Sequence, residues 1–204
     1  MKRFAILSAA VLALSLGRAP RALAAADIGK PAPDFTATDS HGQSRSLHDY
    51  RGKYVVLEWF NASCPFVKKH YNSGNMQELQ KIYTGKGVTW LSIVSSAPGA
   101  EGFLTADQAN AVAQRWKAAP TAILLDPTGA VGRRYEAKTT PDMFVIDPSG
   151  NLIYKGAIDD RPSTDPADIK GATNYVSAAL EASMARRTVQ VAATKSYGCS
   201  VKYK

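Results

Sequence analysis

The chain has 204 residues, 45% of them hydrophobic and 21% charged, which is enough for one ordinary domain with its own core; its two cysteines are too few for a disulfide scaffold. The formal net charge of +8 overstates the folded part: four of the 25 basic residues and none of the 17 acidic ones lie in the first 26 positions, leaving 21 against 17, a net +4. With no basic run longer than the pairs Lys68-Lys69, Arg133-Arg134 and Arg186-Arg187, that balance excludes nucleic acid as a partner class.

Residues 1–26 read as an export signal: Met1-Lys2-Arg3 is a positive start, Phe4 to Gly17 is an uncharged apolar run, and Ala22-Leu23-Ala24 or Ala24-Ala25-Ala26 fits a small-residue cleavage site. As a helix the run reaches about 21 Å against roughly 30 Å of hydrocarbon, so no stable membrane span is expected after cleavage. Arg18 and Arg21, close to that site, leave an uncleaved anchor as the alternative. Export implies a periplasmic or secreted protein, in a compartment where disulfides persist.

No repeat or linker divides residues 27–185, and a tail, residues 186–204, follows. Phe35 to Thr38 and Ser44 to Leu47, separated by Asp39-Ser40-His41-Gly42, predict an opening hairpin. Tyr54 to Phe60 is a central strand by its β-branched and aromatic content. Pro65 to about Tyr83 is helical with a break at Asn72-Ser73-Gly74-Asn75, and Val88 to Ser95 is a second buried strand. Thr105 caps a helix to about Lys117, Thr121 to Leu125 is a third strand, and Ala130 to Tyr135 is a short helix. Asp142 to Ile146 and Leu152 to Gly156 form a second hairpin around Asp147-Pro148-Ser149-Gly150, and Asn174 to Ala185 is a closing helix. The alternation predicts an α/β fold, a mixed sheet covered by helices.

Cys64 stands where the central strand gives way to the first helix. As N-cap, with Pro65 at the first helical position, its sulfur faces the N–H groups of Phe66 and Val67. A helix start contributes only about 0.3 to 1 kcal/mol toward thiolate. Lys68, four positions on and leaning back toward the helix start, is the stronger expected lever, at roughly 0.7 to 2.8 kcal/mol. A thiol pKa of about 6 to 8 follows, the useful range for an attacking sulfur. The alternative is an inert buried cysteine. Val67 occupies the place where a C-x-x-C pair has its second sulfur.

Gly29-Lys30-Pro31-Ala32-Pro33-Asp34-Phe35, Asp39 to Gly42, Leu47, Gly52 to Leu57, Cys64-Pro65 and Thr139-Thr140-Pro141 together resemble the thioredoxin superfamily, in its peroxiredoxin-like alkyl hydroperoxide reductase and thiol-specific antioxidant branch of secreted bacterial type. The resemblance covers roughly residues 27–185 and implies a thioredoxin-like fold with an N-terminal hairpin. It puts Cys64 at the first cysteine of C-x-x-C and Pro141 at the facing cis-proline. It puts Glu58 at the buried acid that helps move a proton, with a raised pKa expected there; the alternative is a glutamate pointing outward at a sheet end. Peroxiredoxins carry threonine or serine three residues before the cysteine and proline seven before it, where this chain has Asn61 and Leu57.

Cys199, 135 positions beyond Cys64, is the one in-chain candidate to resolve a Cys64 sulfenic acid or mixed disulfide. A redox-active pair, a permanent bridge and two independent thiols all remain open. His41, His48 and His70 read as surface histidines, and Lys68-Lys69-His70 and Asp159-Asp160-Arg161 as solvated charge; no spacing supports a metal site, and no cofactor is expected. Asn61-Ala62-Ser63 matches a glycosylation acceptor by letters alone. The expected function is an exported thiol-disulfide oxidoreductase acting on protein or small-molecule thiols and disulfides, with an unidentified electron donor. A peroxidase and a non-catalytic binding module with a structural disulfide are the alternatives.

Overall fold

The computed structural model describes residues 26–204, so the leader expected over residues 1–26 lies, apart from Ala26, outside the described residues. The opening hairpin is β1 (Thr36–Asp39) and β2 (Ser44–Ser46), with Thr36 opposite Ser46. Its turn is pinned by the Asp39 carboxylate, which accepts from the His41 and Gln43 N–H groups, both at 2.9 Å, and from Arg45 at 2.8 Å. The chain then runs β3 (Val55–Trp59), α1 (Pro65–Asn72), α2 (Asn75–Gly85), β4 (Thr89–Val94), α3 (Ala106–Trp116), β5 (Ala122–Leu125) and α4 (Ala130–Arg134). It ends β6 (Thr139–Thr140), β7 (Asp142–Ile146), β8 (Leu152–Gly156), α5 (Tyr175–Met184) and β9 (Cys199–Ser200).

Seven strands form one mixed sheet in the order β2-β1-β5-β4-β3-β7-β8, with β3, β4 and β5 parallel and the remaining neighbours antiparallel. This is the thioredoxin-like arrangement expected from the sequence. Parallel strands need both faces covered, and β3 shows it: Val55, Leu57 and Trp59 pack into one apolar cluster with Leu91, Ile93 and Phe144. Val56 and Phe60 pack into the other, among side chains of α1, α2, α3 and α5. The break between α1 and α2 falls at Gly74, whose φ of 80° caps α2 in a left-handed conformation that glycine adopts without steric cost. Thr105 and Gln108 close the expected helix start at α3 as a reciprocal capping box.

Besides two short 3₁₀ helices, Leu47–Tyr50 and Pro166–Ile169, the elements that the sequence reading does not contain are β6 and β9, which pair with each other outside the main sheet. Each has two residues, too short for any periodicity to register. Together they turn the tail into part of the fold. Among the described residues no helix is long and apolar enough to cross a membrane.

Candidate active site

Cys64 is the N-cap of α1 with Pro65 at the first helical position, as its place in the sequence predicts. Its side chain is completely buried, and its thiol donates to the Thr140 carbonyl at 3.1 Å. Thr140 precedes Pro141 across a cis peptide bond, the isomer expected at this position. Val67 fills the site of the missing second sulfur with an apolar side chain that is itself buried in the core.

The second sulfur arrives from the tail. In the antiparallel pair of β6 and β9, Cys199 lies opposite Thr140 and Ser200 opposite Thr139, so both cysteines, present as free thiols, meet at one residue. They differ in their readiness to ionise. Burial raises the Cys64 pKa, but the Cys199 thiol, the Val67 N–H and Thr140 outweigh it and hold the Cys64 thiol below its ordinary value. Burial and the neighbouring Cys64 push Cys199 up to about 12. The sulfur that ionises first is therefore Cys64, with the Cys199 thiol beside it.

Lys68, the expected source of activation, is exposed on α1, and the largest favourable influences on the thiol come from Cys199, the Val67 N–H and Thr140. A flexible cation at the surface is screened by water, whereas a donor packed against the sulfur is not. Of the two N–H groups expected at the helix start, the one acting on the sulfur is that of Val67.

Glu58 is wholly buried, which rules out the outward-pointing alternative. Its carboxylate accepts from Tyr71 OH at 2.8 Å, Trp90 Nε1 at 2.7 Å, Ser92 Oγ at 2.9 Å and Gln80 Nε2 at 3.1 Å. Burial raises its pKa, opposed by these four donors. They come from α1, α2 and β4, so Glu58 ties helices to sheet and hydrogen-bonds to neither cysteine.

Two surface assignments are overturned. His70 is a buried histidine, and Lys69 and Asp159 are buried as well; only Lys68, Asp160 and Arg161 of the two charged runs are exposed. The reason is mutual pairing across 90 residues of chain: Lys69 Nζ lies 3.8 Å from the Asp159 carboxylate and donates to the Arg161 carbonyl at 2.7 Å. Burial holds the His70 pKa down at about 4, with Lys69 adding to the effect and Asp159 opposing it. His41 and His48 are exposed as expected. Among the described residues no group of three or more histidine, cysteine, aspartate or glutamate side chains is arranged to hold a metal ion.

The tail is fixed along its length. Lys155 N–H donates to the Ala192 carbonyl at 3.0 Å, Thr194 N–H to Lys155 at 3.0 Å, Val201 N–H to Lys138 at 3.0 Å, and Ala97 N–H to Lys202 at 2.8 Å. Gly198 sits at φ 137°, and a Cβ there would collide with the Thr140 carbonyl oxygen, the acceptor of the Cys64 thiol. Tyr197, Gly198 and Thr140 are thus site residues that the sequence reading does not single out. The one signal for them is the Tyr-Gly-Cys run itself: an aromatic anchor, a residue allowing close approach, and a thiol. Asn61, at the position of the peroxiredoxin threonine, spends its side-chain oxygen on the Ser63 N–H at 2.8 Å, and Leu57 is core in β3.

Residues 28–155 match the AhpC/TSA family. A thiol-disulfide oxidoreductase ResA of Bacillus thuringiensis subsp. konkukian is 32% identical over 134 residues, covering 63% of this chain and 69% of the relative. A peroxiredoxin-2 of Cricetulus griseus is 56% identical over 45 residues, 21% of this chain and 23% of its own. The crystal structure of an uncharacterized conserved protein from Geobacillus kaustophilus is similar with a TM-score of 0.74 and 28% identity, covering 88% of this chain and 93% of that one.

Proposed function

The chain belongs to the AhpC/TSA family of the thioredoxin superfamily, and from that premise we propose that it is an exported thiol-disulfide oxidoreductase in which Cys64 attacks and Cys199 resolves. The observation that carries this reading is the β6–β9 pairing, which sets Cys199 opposite Thr140 while the carbonyl of Thr140 holds the Cys64 thiol. A lowered pKa on one sulfur and a raised one on the other divides the labour. The ResA relative, a thiol-disulfide oxidoreductase by name, supports the same chemistry.

In the reducing direction the Cys64 thiolate attacks one sulfur of a substrate disulfide, forming a mixed disulfide and expelling the other sulfur as a thiolate that takes up a proton. Cys199 then gives up its proton and attacks Cys64 Sγ. The Cys64–Cys199 disulfide forms and the second substrate sulfur leaves as a thiol. An external thiol donor returns the pair to the dithiol by the reverse exchange. The substrate class is a protein or small-molecule disulfide, and the reading of residues 1–26 as an export signal supports a reaction outside the cytoplasm.

The test is a thiol count and disulfide map with single variants. Cys64→Ser should abolish turnover, and Cys199→Ser should accumulate a mixed disulfide on Cys64; full turnover by Cys199→Ser with no trapped species overturns the resolving role. A wild-type pair with a potential below about −300 mV would instead mark a structural bridge.

A thiol peroxidase is the second reading, favoured by the 45-residue likeness to peroxiredoxin-2. There the thiolate attacks a peroxide oxygen, leaving a sulfenic acid and an alcohol or water, and Cys199 condenses with it, releasing water. Asn61 and Leu57 at the two peroxiredoxin positions weigh against it. Oxidation of Cys64 by hydrogen peroxide no faster than free cysteine removes it.

A further inference from the structure

The pairing that brings Cys199 to Cys64 is two residues long on each strand. At about 1 kcal/mol net for each hydrogen bond, so short a ladder cannot by itself hold a tail in one place. Tyr197, two residues before Cys199 and joined to it through Gly198, is a side-chain anchor beside the thiol. Its phenol donates to the Asp159 carboxylate, which is 3% exposed, and lies 3.5 Å from His70 Nε2. Its ring centroid lies 5.8 Å from that of Phe66 and 5.8 Å from Lys69 Nζ, the cation paired with Asp159.

Phe66, Lys69 and His70 belong to α1, the helix that Cys64 caps. The anchor therefore fastens the tail to the element that carries the nucleophile. A buried ion pair left without its tyrosine donor leaves the carboxylate short of one hydrogen bond, which gives the closed position a free-energy advantage over an open one. Two other side-chain anchors of the tail lie farther along the chain from Cys199: Thr194 bonds to the Ala157 N–H at 2.8 Å and Tyr203 to the Ala137 carbonyl at 2.8 Å.

We propose that Tyr197, seated on the buried Asp159–Lys69 pair, is the positioning residue that sets the effective concentration of the Cys199 thiol at Cys64 and keeps Cys64 covered. The proposal rests on Cys199 resolving Cys64. It adds what holds the thiol-bearing segment against α1: the bonds at Thr194, Val201 and Lys202 fasten the tail to other elements, and Tyr197 fixes the span between them, so that the thiol is presented continuously rather than by a loose loop. It also means that a substrate reaches Cys64 only when the anchor lets go, because β9 lies over a sulfur with no exposed surface.

The experiment equilibrates the full-length chain with reduced and oxidised glutathione. Forming the pair takes two thiols to one disulfide while one oxidised glutathione becomes two reduced ones, so the equilibrium constant is the effective concentration. A second readout is the rate at which iodoacetamide alkylates Cys64 in the reduced protein. Tyr197→Ala should lower the equilibrium constant about tenfold or more and raise the alkylation rate by a similar factor, the effect of losing about 1.4 kcal/mol of closure. Tyr197→Phe, which keeps the ring on Phe66 and loses the donor to Asp159, should fall between. Wild-type values for Tyr197→Ala in both readouts overturn the proposal. If Tyr197→Ala does not fold, Tyr197→Phe decides: a melting curve, equilibrium constant and alkylation rate all equal to wild type overturn it equally. A wild-type chain that forms no Cys64–Cys199 disulfide at any glutathione ratio overturns the resolving role instead, and the alkylation rates then decide the anchor alone.

Discussion

Cys199 lies opposite Thr140 in the β6–β9 pair, and the carbonyl of that same Thr140 accepts the Cys64 thiol at 3.1 Å. One backbone residue thus sets the spacing of two sulfurs that are 135 positions apart in sequence. In a C-x-x-C site a single helical turn performs this task. Here Val67 leaves the turn without its second sulfur, and a strand pair supplies it.

The pKa asymmetry of the two thiols depends on their proximity, so it should collapse when one is removed. Cys199→Ala takes away the strongest donor to the Cys64 sulfur, while burial, which opposes ionisation, remains. The pH profile of Cys64 alkylation should therefore move to higher pH than in the wild type, and alkylation at pH 7 should slow once accessibility is matched in a denatured control. An unshifted profile sinks the idea that Cys199 favours the Cys64 thiolate.

Gly198 is the point of closest approach between tail and β6. With φ at 137° and the Thr140 carbonyl oxygen in the path of any Cβ, Gly198→Ala meets both backbone strain and a collision. Strain of this kind costs about 1 to 3 kcal/mol, so β9 should lift and Cys64 alkylation should accelerate about tenfold or more. Far-ultraviolet circular dichroism should be unchanged, since the main sheet lies elsewhere. Wild-type alkylation by a folded Gly198→Ala protein would falsify this placement of the tail.

Much of the fold is written in local signals. The run Tyr54 to Phe60, with its β-branched and aromatic residues, becomes β3 at the sheet centre, and the Asn72 to Asn75 break falls at the α1–α2 junction. Cys64 as N-cap is likewise local. What escaped detection is non-local: Lys69, His70 and Asp159 look like solvent-facing charge because a sequence shows the charge and hides the partner. Their burial is decided by pairing between α1 and the segment after β8, with Tyr197 closing the cluster from the tail. The same holds for Thr140, whose importance comes from two contacts, one 76 positions away and one 59.

Glu58 should matter more to the stability of the site than to its first chemical step. Glu58→Ala leaves Tyr71, Trp90 and Ser92 without an acceptor in a dry interior and Gln80 with the Tyr71 hydroxyl alone, and should cost about 2 to 4 kcal/mol in urea unfolding. Glu58→Gln retains an accepting oxygen and should cost less, with the Cys64 alkylation rate unchanged because no hydrogen bond joins Glu58 to either sulfur. A Glu58→Gln protein that is as stable as wild type but alkylates much more slowly would assign Glu58 a role in proton movement at Cys64 and overturn this view.

Two buried groups give the stability of the protein opposing pH dependences. His70 is held near pKa 4 against an ordinary 6.5. The unfolded chain therefore takes up its proton first, and stability is lost as pH falls from 6.5 toward 4. Asp142, next to Pro141, is raised by burial from 3.8 to about 6. Its contribution is complete below 3.8 and is lost as pH rises through 6, the opposite slope over nearly the same window. Each shift is worth about 3 kcal/mol across its range. Asp142→Asn keeps an acceptor for the Lys138 N–H, which donates to Asp142 at 3.0 Å, and removes the titration. The stability of Asp142→Asn relative to wild type should therefore improve by about 3 kcal/mol between pH 4 and pH 6.5. Urea melts at four or five pH values measure this directly, and parallel curves for variant and wild type would mean that Asp142 titrates alike in the folded and unfolded chains.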